Sequence, residues 1–193
     1  MILSAIFAAA PLALFIGERG PSEMSFLHDH GAASVSVGGA FQAGQTWADA
    51  ARIEAVRRDL YYELVAEEFW RPTHVQYFTA RAGYLFHTRR IAAGGVTLGF
   101  MSGPPHTRDR GPEIGLPLFV GDTSKFSLRL EPTYIRSSRG LLWNYRAEFD
   151  VAIPRHPYFL GASAVGKIDP PSTPDTQRDF THGAYLFTLG ARF

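Results

Sequence analysis

Beyond Gly31, apolar and polar residues alternate with a period of two nearly everywhere, and this pattern constrains the fold more than any other feature. Alternation at that period marks strands with two chemically distinct faces. The clearest stretch is 141–153. Leu141, Trp143, Tyr145, Ala147, Phe149, Val151 and Ile153 fall on one face, and Leu142, Asn144, Arg146, Glu148, Asp150 and Ala152 on the other. Just before it, Phe126, Leu128, Leu130, Pro132 and Tyr134 alternate with Lys125, Ser127, Arg129, Glu131 and Thr133. The intervening Ser137-Ser138-Arg139-Gly140 predicts a hairpin.

Pairing Ser137 with Gly140 sets the rest of the register. Glu131 then faces Arg146 and Arg129 faces Glu148, while Tyr134 meets Trp143 and Leu128 meets Phe149. Opposite charges share one face and apolar groups the other, as cross-strand pairing favours.

Similar stretches occupy 34–41, 60–67, 75–87, 91–100, 113–120, 158–167 and 182–193. A weaker one at 50–56 reads either as a strand or as part of an amphipathic helix through Ile53, Val56, Leu60 and Leu64. With it the count is about ten strands; without it, and with 34–41 treated as a separate piece, about eight strands with an N-terminal helix, and bacterial single-chain membrane barrels have even counts. Ten sorts the connections better. Short ones at 57–59, 88–90, 121–124 and 154–157 then share one side, and the long segments 102–112 and 168–181 the other. The expected fold is all-β, a closed antiparallel transmembrane β-barrel over 33–193.

Composition removes several alternatives. Lys+Arg 19 against Asp+Glu 18 leaves a net charge of +1, so there is no basic field to attract nucleic acid. The absence of cysteine excludes disulfides, thiolate metal sites, cysteine nucleophiles and a lipoprotein anchor. A mean hydropathy of -0.07 is too polar for a helical membrane protein but suits a barrel, half of whose strand residues face a polar interior. The apolar run from Met1 to Ile16 is shorter than the roughly 20 residues a spanning helix needs. It reads as the apolar region of a secretory signal over 1–17, followed by a linker over 18–32; the alternative is a buried N-terminal helix.

A soluble barrel also alternates, but with its apolar face inward. Two features favour the inverted arrangement. Aromatic residues cluster near the strand ends (Tyr84, Phe86, Phe100, Tyr134, Trp143, Tyr158, Phe193), as in the interfacial girdles of membrane barrels. Complementary charges crowd one face of the best hairpin, which suits a confined interior. The last strand adds a third. Tyr185, Phe187, Leu189, Ala191 and Phe193 lie on one face, with Ala184, Leu186, Thr188, Gly190 and Arg192 on the other. In this alternation and its aromatic end, the chain resembles the bacterial outer-membrane β-barrel family. The resemblance implies residence in the outer membrane among its lipids and lipopolysaccharide. It also implies that Tyr185, Phe187, Leu189 and Phe193 form the strand read by the barrel-assembly machinery.

Three groups of residues bear on function. Glu63, Arg81, Lys125, Arg129, Glu131, Arg146, Glu148, Asp150 and Arg192 are expected in the lumen, as a salt-bridged plug more than a selective pathway. His106, Asp109, Asp175, Asp179 and His182 are expected at the outer rim, where an Asp–His pair activates a hydroxyl such as that of Ser172 or Thr181 in one reading and is simply solvated in the other. Arg71, Arg108, Arg110, Arg136, Arg139 and Arg178 suit lipopolysaccharide phosphates. His28-Asp29-His30 supplies too few ligands for a metal site and reads as linker, and no phosphate-cradling glycine loop appears, so no metal or cofactor is expected. The leading expectation is a non-enzymatic barrel with a plugged lumen, acting structurally or on an envelope protein partner through its outer loops. A lipid- or peptide-modifying enzyme with a rim site is the second, and a narrow solute channel the third.

Overall fold

The structure, a computed structural model, describes residues 30–40, 47–70, 74–89, 92–103, 110–122, 125–137, 140–168 and 180–193. Its strands are β1 (His30–Ala40), β2 (Trp47–Arg57), β3 (Leu60–Trp70), β4 (Val75–Arg89), β5 (Ala92–Ser102), β6 (Gly111–Gly115), β7 (Leu118–Asp122), β8 (Phe126–Ser137), β9 (Gly140–Ala152), β10 (Tyr158–Ile168) and β11 (Phe180–Arg192). Every pairing is antiparallel, and each strand through β5 joins the next. β6 and β7 are two halves of one wall position, because both pair with β5 and with β8. The wall continues through β9, β10 and β11, and β11 returns to β1. The result is a closed antiparallel barrel of ten wall positions. Among the described residues no helix is long and apolar enough to cross a membrane.

The β8–β9 register is the expected one throughout, from Ser137↔Gly140 to Leu128↔Phe149. Three expectations are corrected. Residues 50–56 belong to β2, hydrogen-bonded to β1 on one side and β3 on the other, so the eight-strand alternative with a helix there does not hold. The stretch 113–120 is broken at Leu116-Pro117, since proline brings no N–H to the ladder. Leu116 N–H donates to Pro132 O (3.0 Å) and Gly95 N–H to Pro117 O (2.9 Å), so the wall remains bonded across the break. Finally, the barrel begins at His30 and not at residue 33, because Gly31 and Phe193 exchange backbone hydrogen bonds of 2.8 and 3.0 Å.

The barrel has two unlike ends. At one, which we call the turn end, lie His30, Phe193 and the β2–β3 and β9–β10 turns. The β2–β3 turn there places Arg58 and Asp59 at φ 50° and 68°, the two positive values of a type I′ hairpin. The other, the loop end, carries the remaining connections. The wall is apolar on its outside: Leu98 is 63% exposed and Phe187 77%, and Leu64, Phe86, Phe149 and Leu160 are exposed in the same way. Trp143 is likewise exposed, while Arg146 and Glu148 are buried.

Candidate functional site

The lumen holds the densest chemistry of the molecule. Period two sends Glu63 and Glu67 of β3, Arg81 of β4, Glu113 of β6, Arg129 and Glu131 of β8, and Arg146 and Glu148 of β9 inward. At mid-height two arginines and two glutamates form a square. Arg81 reaches Glu63 at 2.8 Å and Glu131 at 2.7 Å, while Arg129 reaches Glu63 at 2.7 Å and Glu131 at 3.2 Å. Arg81 also bonds Thr133 Oγ1 (2.9 Å) and lies 3.2 Å from Glu113, and Arg129 extends to Glu54 and to the Tyr61 hydroxyl. Since β3 and β8 lie on opposite sides of the wall, this square ties the barrel across its width.

Smaller groups flank the square. Toward the turn end Arg52 clamps Glu148, with its second contact at 3.1 Å, and Arg192 approaches Asp150 at 3.9 Å while its guanidinium lies over Phe159. Toward the loop end Glu67 accepts from Arg146 (2.8 Å) and from Lys167, whose ammonium sits 4.5 Å from the Tyr77 ring centre. Charges removed from water this thoroughly are tolerated only when partnered.

Buried apolar clusters lie on either side of the lattice. Phe69, Val75, Tyr77, Met101, Ile135 and Leu142 belong to a buried cluster at the loop end. Val56, Tyr61, Leu85, Ala93 and Phe119 make the corresponding cluster at the turn end. Between them, a void of about 20 Å3 beside Glu67, Arg81 and Asn144 is room for a single water.

Of the residues expected in the lumen, Glu63, Arg81, Arg129, Glu131, Arg146, Glu148, Asp150 and Arg192 are brought together. Lys125 is not. It occupies the exposed turn before β8, where its N–H donates to Asp122 O, and so lies outside the lattice. The facing pairs Glu131/Arg146 and Arg129/Glu148 are true register partners, yet apart from Arg129–Glu131 along β8 their close ion pairs run to β2, β3 and β4. In a narrow barrel, long side chains meet at the axis sooner than they fold back onto an adjacent strand. Sequence reasoning missed Arg52, Glu54, Glu67, Glu113 and Lys167. Parity carried the signal for Glu67, which shares the face of Glu63, whereas Arg52 and Glu54 lay in the stretch left open between strand and helix.

The rim residues His106, Asp109, Asp175 and Asp179, with Ser172, fall outside the described residues, as do His28, Asp29, Arg71, Arg108, Arg139 and Arg178. His182 lies on β11 opposite Lys167 and His30 opens β1. Arg110 and Arg136 are exposed at the loop end. No group of three or more histidine and carboxylate side chains suited to a metal occurs among the described residues. Tyr185, Phe187 and Leu189 face outward, and the Phe193 ring packs so close to Gly31 that a Cβ there would lie 2.4 Å from it.

A polar notch interrupts the outer face near the loop end. Asp49 and Glu68 are register partners on β2 and β3, one outward step below the exposed pair Trp47 and Trp70. Trp70 Nε1 donates to Asp49 (3.2 Å), Gln76 Nε2 donates to Glu68 (2.6 Å), and His74 Nε2 lies 3.2 Å from Glu68. The His74 ring stacks on Trp70 with centres 4.3 Å apart. The two carboxylates sit side by side on an otherwise apolar wall, each with donors of its own: Trp70 for Asp49, and Gln76 with the neighbouring His74 for the buried Glu68.

No family model matches the chain, and no curated protein matches it. Among solved structures it is similar to the N-terminal β-barrel domain of Pseudomonas aeruginosa OprF, at 13% identity and a TM-score of 0.43, over 86% of this chain and 100% of that one. It is also similar to Neisserial surface protein A (NspA), at 9% identity and a TM-score of 0.36, over 85% of this chain and 95% of the other. The closed barrel itself is defined by this chain's own strand pairings.

Proposed function

We propose that the chain is a bacterial outer-membrane barrel with a sealed lumen, acting as a structural or partner-binding protein through its outer loops. The observation that carries this reading is the inverted wall, apolar outside and ionic at the axis. Such a wall matches hydrocarbon on its outer face, and a closed ladder leaves no strand edge unpaired in lipid. The turn end, with its short hairpins, faces the periplasm and the loop end the exterior.

The apolar layers on both sides of the lattice support a structural role over a solute channel, since an ion crossing them would shed its water without compensation. Exposed Arg110 and Arg136 at the loop end suit lipopolysaccharide phosphates, which guanidinium groups can hold bidentately. The outward row Tyr185, Phe187 and Leu189, ending at Phe193, suits recognition by the barrel-assembly machinery.

Membrane fractionation of the full chain, with gels run before and after boiling, tests location and closure together. The band is expected in the outer-membrane fraction with a mobility that changes on boiling; a soluble band with unchanged mobility sinks the reading. In planar bilayers the folded barrel should pass almost no current, and steady single-channel steps would favour the solute channel instead.

A further inference from the structure

Three turns at the turn end are basic. Arg57 and Arg58 lie at the β2–β3 turn, Lys125 just before β8 and Arg155 in the β9–β10 turn, and all four are exposed. Lys125 O accepts from Ala152 N–H (2.8 Å), which sets the β7–β8 turn beside the β9–β10 turn. The acids in these turns are Asp59, which accepts from the Tyr84 hydroxyl (3.3 Å), and Asp122. Arg57, Lys125 and Arg155 make no ion pair with any described residue. Backbone geometry singles out two of the cations. Arg58 and Arg155 have φ of 50° and 66°, in the left-handed region that glycine or asparagine fills most easily. An arginine held there against backbone preference implies a use for its side chain, since the turn would form better without it. Each basic turn also borders an exposed apolar group. Arg57 is the ladder partner of Leu60, Lys125 precedes Phe126, and the His156 ring stacks on Tyr158 with centres 6.4 Å apart.

We propose that the turn end binds anionic phospholipids of the adjoining leaflet, one headgroup phosphate at Arg57 and Arg58 and another between Lys125 and Arg155. The inference rests on the membrane-barrel reading. Charge complementarity selects an anion, because exposed cations without carboxylate partners offer open donors there. The apolar neighbours select a lipid. A soluble polyanion or an acidic protein would meet the same cations but leave Leu60, Phe126 and Tyr158 without a partner. A phosphate joined to acyl chains satisfies both, since long basic side chains reach the headgroups while apolar groups beside them meet the tails. The site lies at the end opposite Arg110 and Arg136, so it does not compete with lipopolysaccharide.

The test uses the full chain folded in detergent and checked by its mobility change on boiling. Micelles are doped with equal amounts of phosphatidylglycerol and phosphatidylethanolamine of matched tails, and retained lipid is counted by native mass spectrometry. Phosphatidylglycerol should be kept over phosphatidylethanolamine by about 25-fold, from two basic side chains per headgroup at about fivefold each. Arg58→Gly with Arg155→Gly should cut that ratio to about fivefold. The urea midpoint should stay unchanged or rise, because glycine suits both backbone positions. Adding Arg57→Gln and Lys125→Gln should bring the ratio near unity. Equal retention by the unaltered chain, a ratio untouched by the glycines, selectivity lost only together with a lowered urea midpoint, or stronger capture of added lipid A or soluble peptidoglycan fragments would each overturn the proposal. A chain that shows no mobility change on boiling would instead overturn the barrel reading beneath it.

Discussion

Leu130 and Glu131 are adjacent on β8, yet the leucine is 39% exposed on the outer wall and the glutamate 2% exposed at the axis. The contrast holds along the whole strand and separates two kinds of specification. Outside, on the membrane-barrel reading, a residue has only to be apolar, since hydrocarbon offers no particular partner. Inside, each charge depends on named partners, and Glu131 is held by both Arg81 and Arg129. The outer wall should therefore tolerate exchange within a chemical class, whereas the interior should fail at single positions.

The largest expected break is Arg129→Ala. It takes one of two close arginines from Glu63 and Glu131 and leaves Glu54 to Arg52, and loss of one member of such a buried set costs about 3–5 kcal/mol. Urea unfolding in lipid vesicles, followed by tryptophan emission, measures it; a loss under 1 kcal/mol would mean that the lattice is as solvated as a surface. Next comes Leu98→Arg near the middle of β5, expected to cost about 2–4 kcal/mol if that face meets the bilayer interior. An unchanged or more soluble protein would reverse the assignment of inside and outside.

Gly115→Val sharpens the interior side of the contrast without removing a charge, though it also crowds Arg81. A Cβ at Gly115 would lie 2.4 Å from Thr97 Oγ1, and overpacking of this kind costs about 1–3 kcal/mol. The smallest effect concerns the outer wall. Tyr134 and Trp143, with ring centres 4.3 Å apart, should show a coupling of about 0.5–1.5 kcal/mol in a double-mutant cycle to alanine. A coupling as large as that of the lattice would erase the distinction between the two faces.

Much of the wall was legible because its information is local. Ser137 and Gly140 anchor a hairpin whose every later pair follows by counting, and the alternation of Tyr185, Phe187 and Leu189 declares an outward face. The lattice was legible only as a set of inward charges. Who meets whom depends on which strands oppose across the lumen, which no period-two pattern encodes; Arg129 finds Glu63 because β8 lies opposite β3. Lys125 obeyed the parity of β8 but fell one residue outside its ladder. The Leu116-Pro117 break carried its own warning in the proline.

The hydrogen bonds between Gly31 and Phe193, with Ala32 opposite Arg192, join the two extremities of the described chain. Contacts that distant in sequence are the slowest to form, because loop entropy is lost before any compensating gain. Until that last rung is made, β1 and β11 both present raw ladder edges to whatever is nearby. Synthesis must thus pass β11 before the cylinder can shut, and the interval beforehand is when the polypeptide most needs an escort.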